Sequence, residues 1–75
     1  MQEDILKGNW KQIQGDVKKL WGRLTDDDIQ VIEGSRDKLA GILQERYGYT
    51  RQAVEEKIAE FLEDMETKFE MRENR

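Results

Sequence analysis

Six glycines punctuate the chain at a spacing that constrains its fold more than any other feature. Gly8, Gly15 and Gly22 lie seven residues apart, and Gly34, Gly41 and Gly48 repeat that interval. The residues between them match as well: Ile13 with Leu39, Val17 with Leu43, and Trp21-Gly22 with Tyr47-Gly48. A threonine follows each aromatic-glycine pair, at Thr25 and Thr50. An internal duplication of this kind means that one supersecondary unit is used twice. The expectation is therefore an all-α fold, four helices arranged as two crosswise-packed helical hairpins.

The apolar periodicity places the four helices. Asn9 reads as an N-cap, with Gln12 three residues on. Trp10, Ile13, Val17, Leu20 and Leu24 then form one stripe, closed by Gly22 in the left-handed conformation. Thr25 caps a short second helix with Asp26, Asp27 and Asp28 in its first turn, where carboxylates oppose the helix dipole. Ile29 and Ile32 point inward and Gly34 ends it. The third helix starts at Ser35 and ends at Gly48, with Leu39, Ile42, Leu43 and Tyr47 inward. Thr50 caps the fourth, whose stripe is Val54, Ile58, Phe61, Leu62, Met65 and Phe69. That helix reaches Met71, or roughly 30 Å at the helical rise, so residues 64–75 are expected to overhang the rest. Residues 1–8 read as a flexible N-terminal arm of a single domain, 1–75. The expected core is Trp10, Ile13, Val17, Leu20, Ile32, Leu39, Ile42, Leu43, Val54, Ile58 and Phe61.

Composition narrows the chemistry. A chain of 75 residues makes one small core. It contains neither cysteine nor histidine, so thiolate metal sites, disulfides and the usual general base near neutral pH are all missing. Charged residues are 40% of the chain and the net charge is -4, a balance open to disorder. Two tryptophans and sustained periodicity select a folded chain instead. An acidic N-terminus and the lack of a long apolar run point to a soluble, cytoplasmic protein.

Asp26, Asp27 and Asp28 suggest a hard cation, but adjacent helical residues point about 100° apart and do not converge. Capping and dipole complementation account for the run. Ser35, Thr25 and Thr50 have no base to activate them and suit helix starts. The glycines are too far apart for a phosphate loop. The reading is of a non-enzyme with no catalytic residue, metal or cofactor. Trp10 and Trp21 flank the first stripe and suit a core better than base stacking. Of Tyr47 and Tyr49, one reads as core and one as a partly exposed lid.

The residues Asn9-Trp10-Lys11-Gln12, Gly15, Trp21-Gly22, Leu24-Thr25-Asp26-Asp27-Asp28, Gly34, Arg36-Asp37, Gly41, Gln44 and Arg46-Tyr47-Gly48-Tyr49 resemble the CsbD-like bacterial stress-response family. The resemblance spans Gly8 to Ile58. It implies a small cytoplasmic bacterial protein induced by general stress, and a bundle similar to the sterile-alpha-motif folds. It carries over no catalytic or binding residue.

Charge and glycine placement supply the candidate contact surfaces. The chain is net positive up to Leu24 and net negative from Thr50 onward, so the first and fourth helices are expected to attract, within one chain or across two. Gly8, Gly15 and Gly22 face away from the Ile13-Val17-Leu20 stripe, bordered by Lys7, Lys11, Lys18 and Lys19, and Gly41 faces outward in the same way. Lys7, Lys11, Gly15, Lys18 and Lys19 are thus candidates for one partner-binding face. Met65, Phe69 and Met71 are candidates for another, beyond the reach of the shorter helices. Three function classes follow. A structural or interaction protein, with an unknown protein partner or a weak homodimer, is favoured. A nucleic-acid-binding module using the basic first helix and an adapter docking through the last helix are the alternatives. Nucleic acid suits an acidic molecule poorly, and no membrane or small-molecule substrate is implied.

Overall fold

A computed structural model describes residues 6–73, with side chains from 6 to 68. The described residues form helices and connections and contain no strand. After a helical turn at residues 6–8 come α1 (Trp10–Leu20), α2 (Asp26–Ile32), α3 (Arg36–Tyr47) and α4 (Arg51–Glu73). α2 packs on α3 and α3 on α4. α1 meets α4 through Trp21, whose ring lies 5.4 Å from that of Phe61 at a tilt of 57°, an edge-to-face type of contact.

The helix boundaries follow local chemistry, with two departures from expectation. Asn9 does not cap α1 with its side chain. The preceding turn leads the chain in at φ -120 and ψ 23, away from the extended geometry that a capping side chain requires. Its carbonyl instead accepts from the N–H groups of Gln12 and Ile13, at 2.9 and 3.0 Å. Gly22 does not adopt the left-handed conformation. α1 ends one residue earlier, at Trp21 with φ -116, whose N–H still bonds the Val17 carbonyl. Trp21 is drawn into the core, and this turns the chain without a left-handed residue. The other expected caps form: Thr25 Oγ1 accepts from the Asp28 N–H, Ser35 Oγ from Lys38 and Thr50 Oγ1 from Ala53. Gly48 closes α3 at φ 71.

Gly34 has two reasons to be glycine. It sits at φ +82, directly after a left-handed Glu33 at φ 45. A methyl group there would fall 2.9 Å from the Cα of Lys7 and 3.2 Å from the carbonyl oxygen of Leu6. The N-terminal turn thus packs against the α2–α3 corner with backbone touching backbone. Leu6, from the segment expected to be a flexible arm, is fully buried.

The core gathers Leu6, Ile13, Val17, Trp21 and Leu24 with Ile29, Ile32, Leu39, Ala40 and Leu43, closed by Val54, Ile58, Phe61, Leu62 and Met65 on α4. Trp10 and Ile42 are half-buried at its edge. Leu20 corrects the expected core list: it is 58% exposed. It stands at the margin of the α1 stripe and on the last helical residue, whereas Trp21 and Leu24 just after it are buried. Met65 also corrects the expectation of an overhanging apolar strip. It is buried against the bundle, and one turn further on Lys68 Nζ reaches Asp16 Oδ2 of α1 at 3.2 Å. α4 is therefore covered at least that far. The side chains of Phe69 and Met71 lie outside the described residues.

Candidate interaction site

The glycines and lysines of the expected basic face lie on α1 and on the turns that flank it. Lys7, Lys11, Lys18 and Lys19 are exposed, as are Gly8, Gly15 and Gly22. Nothing lies within 4 Å of where a Cβ would stand on any of the three glycines, or on Gly41. The face is open and has no neighbour that demands glycine. Lys18 is engaged by Asp26 at the start of α2.

The run Asp26-Asp27-Asp28 diverges. Asp26 turns outward to Lys18, whereas Asp28 is buried. The two Asp28 oxygens accept from Arg46 Nη2 at 2.9 Å and Nε at 3.0 Å, the two-pronged geometry that guanidinium groups favour. Oδ2 also accepts from the Thr25 N–H at 3.0 Å, completing a capping box. The Arg46 bonds first, and the Thr25 N–H second, hold the Asp28 carboxyl at about 2, below the ordinary carboxylate range. Its anionic form raises the Arg46 guanidinium in turn. Glu55 is lowered by hydrogen bonds from Arg36 and then Arg51. These pairs fasten the start of α2 to the end of α3, and the start of α3 to α4. Among the described residues no group of three acidic side chains is placed to hold a metal ion.

Arg46 begins a second arrangement that the sequence did not announce. Its carbonyl accepts from Arg23 Nη1 at 3.4 Å, and the Tyr47 hydroxyl accepts from the Arg23 N–H at 3.1 Å. The Arg23 guanidinium lies 5.3 Å from the Tyr47 ring centroid. Tyr47 stacks on Tyr49 at 5.3 Å with planes 4° apart, and the Lys57 ammonium lies 5.1 Å from the Tyr49 ring. Left-handed Gly48 between the tyrosines allows both rings to turn to one side. Each ring thereby has both a cation and an aromatic partner in contact range. Both tyrosines are half-buried and pack against the core, so neither is the fully buried member expected of the pair.

These rings wall a groove of about 240 Å³ between the end of α1 and the middle of α4. Exposed Leu20, with Trp21 and Phe61, adds apolar lining to its walls, and the exposed Glu60, Asp64 and Lys57 border it. In sequence, Leu20 read as core, and Tyr47 and Tyr49 as one core residue and one partly exposed lid, so no local pattern marked the groove. Of the expected partner-binding residues, Lys7, Lys11, Gly15, Lys18 and Lys19 stand exposed on or around the first helix and Met65 does not belong with them.

No helix among the described residues is long and apolar enough to cross a membrane. A family model described as CsbD-like matches residues 4–56. The UPF0337 protein YjbJ of Escherichia coli strain K12 is 50% identical over 72 residues, covering 96% of this chain and 99% of that protein. The UPF0337 protein ECA0631 of Pectobacterium atrosepticum is 55% identical over 58 residues, 77% of this chain and 84% of its own. The UPF0337 protein PA4738 of Pseudomonas aeruginosa is 46% identical over 61 residues, 81% of this chain and 94% of its own. No solved structure matches the chain.

Proposed function

The chain belongs to the CsbD-like family, and we propose that it works as a non-enzymatic interaction protein of the cytoplasm that accumulates under stress. The observation that carries this reading is the groove at the Tyr47–Tyr49 stack. Its rings stack on each other with Arg23 and Lys57 over them, and Leu20, which also lines it, is 58% exposed. A large apolar side chain beside preorganised aromatic rings and a charged rim has the composition of a contact surface. Docking through a rigid groove costs little ordering entropy, which suits a small domain whose strength is in its surface. The same reading takes the four helices as two hairpins packed crosswise, so that the groove lies where their ends meet. Nucleic acid is the poorer partner: the groove rim carries Glu60 and Asp64, the Lys18 charge is engaged by Asp26, and the chain is acidic overall.

Photo-crosslinking in living bacteria tests this. A photoreactive phenylalanine analogue replaces Leu20 in one strain and exposed Gln52 in another, and both are irradiated with and without stress. A discrete protein-sized adduct from position 20, absent from position 52, is the expected result. Equal or no adduct at the two positions would refute docking through the groove.

A further inference from the structure

We propose that the groove receives the basic face of α1 from a second copy of this chain. The inference rests on the docking reading above and names its partner. A lysine side chain has an apolar stem and a charged tip. A groove with Leu20 and tyrosine rings on its walls and Glu60 and Asp64 on its rim is complementary to both parts. Lys57 already displays one such contact within the chain, its ammonium 5.1 Å from the Tyr49 ring.

Each surface is unsatisfied within one copy. Glu56, Glu60 and Asp64 follow one another at four-residue intervals on α4 and are exposed, so like charges stand as helical neighbours and repel. Among the described residues none of the three is in a salt bridge. Lys7, Lys11 and Lys19 are likewise exposed and outside those bridges. The attraction expected between α1 and α4 does not join these groups. The salt bridge linking the two helices has the opposite polarity, with the cation Lys68 on α4 and the anion Asp16 on α1. One molecule therefore keeps its basic row and its acidic row apart, and a second copy brings them together.

Geometry favours the same partner. Glu60 and Asp64 are four residues apart on α4 and span about 6 Å along its axis; Lys11 stands in the first turn of α1 and Lys7 in the helical turn just before it, both exposed. Two ammonium groups at the entry to α1 are thus available to two carboxylates on α4. Gly8 and Gly15 leave the surface between the lysines bare, with nothing within 4 Å of a would-be Cβ, so the lysine stems enter the groove without a neighbouring side chain in the way. The two surfaces differ, so the contact is heterologous and joins copies head to tail.

Sedimentation equilibrium of the full chain tests the proposal. One variant carries Glu60→Lys and Asp64→Lys, the other Lys7→Glu and Lys11→Glu; all four positions are exposed, and circular dichroism checks that each variant is as helical as the parent. The parent's mass should rise above 8.9 kDa with concentration in ~50 mM salt and return to it in ~500 mM salt, as screened charge contacts do. Each variant alone should stay monomeric, and an equimolar mixture should associate at least ~10-fold more tightly than either alone, because the reversed charges again match. A parent that is monomeric at ~1 mM in low salt, a variant that associates like the parent, or a mixture without rescue would each overturn it. A synthetic helical peptide with two lysines four residues apart separates the two readings. If it binds the parent and not the Glu60→Lys/Asp64→Lys variant while the parent stays monomeric, self-association falls and docking stands; if neither forms, both fall.

Discussion

Alanine at three of the glycines should change stability in opposite directions, and the structure supplies the sign at each. Gly15 and Gly41 lie on exposed helical surface, and a methyl group at either meets nothing within 4 Å. Glycine inside a helix is about 0.8–1 kcal/mol worse than alanine. Gly15→Ala with Gly41→Ala should therefore stabilise by about 1.6–2 kcal/mol, the two sites being on different helices and additive. For a domain of this size that corresponds to a rise in Tm of roughly 6–16 °C. Gly34 is the contrary case. At φ +82 a side chain is strained, and the new methyl would stand 2.9 Å from the Lys7 Cα. The left-handed conformation costs about 1–2 kcal/mol and forcing the backbone contact apart about 1–3 kcal/mol more. Gly34→Ala should lose about 2–5 kcal/mol, much of what a small domain has. Thermal melts followed by circular dichroism in high salt, where copies stay apart, measure all three. A neutral Gly34→Ala, or a double variant that melts lower than the parent, would refute the assignment of faces.

Other consequences follow from single contacts. Asp28 is held at about 2 in the folded chain, below its ordinary 3.8, so the unfolded chain takes up its proton first. The stabilisation is complete above the ordinary value and is lost as pH falls toward and through about 2. Urea melts of the parent and Asp28→Asn should differ at pH 6 and converge near pH 2; a gap that does not narrow would contradict the pairing with Arg46. Ile58→Ala, at a fully buried site, should cost about 2–5 kcal/mol. Leu20→Gln, at an exposed one, should stay within about 0.5 kcal/mol of the parent while weakening association in the sedimentation assay.

The helical class, the caps at Thr25, Ser35 and Thr50 and most of the core were legible because periodicity and capping are local rules. Where the account changed, a tertiary contact decided. The duplication aligns Gly8 with Gly34 and Gly22 with Gly48, yet only Gly34 and Gly48 are left-handed. The N-terminal turn presses on Gly34 alone, and Trp21 is buried where its counterpart Tyr47 is only half-buried. Two equal sequence units thus become unequal once they pack on each other, which the repeat could not disclose. Leu20 looked like core because the stripe continues through it; it is the end of α1 that leaves it uncovered. Asp28 looked like its two neighbours, and only the arrival of Arg46 eighteen residues later sets it apart. The basic face of α1 was readable from the wheel, whereas the groove required three elements to meet and had no local signature.

The central claim is that the groove and the α1 face are the two halves of one contact. Nuclear magnetic resonance spectra of the isotope-labelled full chain, recorded across rising protein concentration in low salt, test it at residue level. The account predicts that shifts concentrate in two patches, Leu20, Tyr47, Tyr49, Glu60 and Asp64 on one side and Lys7, Lys11 and Gly15 on the other, and that added salt reverses both together. Shifts confined to one patch, spread over other surfaces, or absent at every concentration would contradict it.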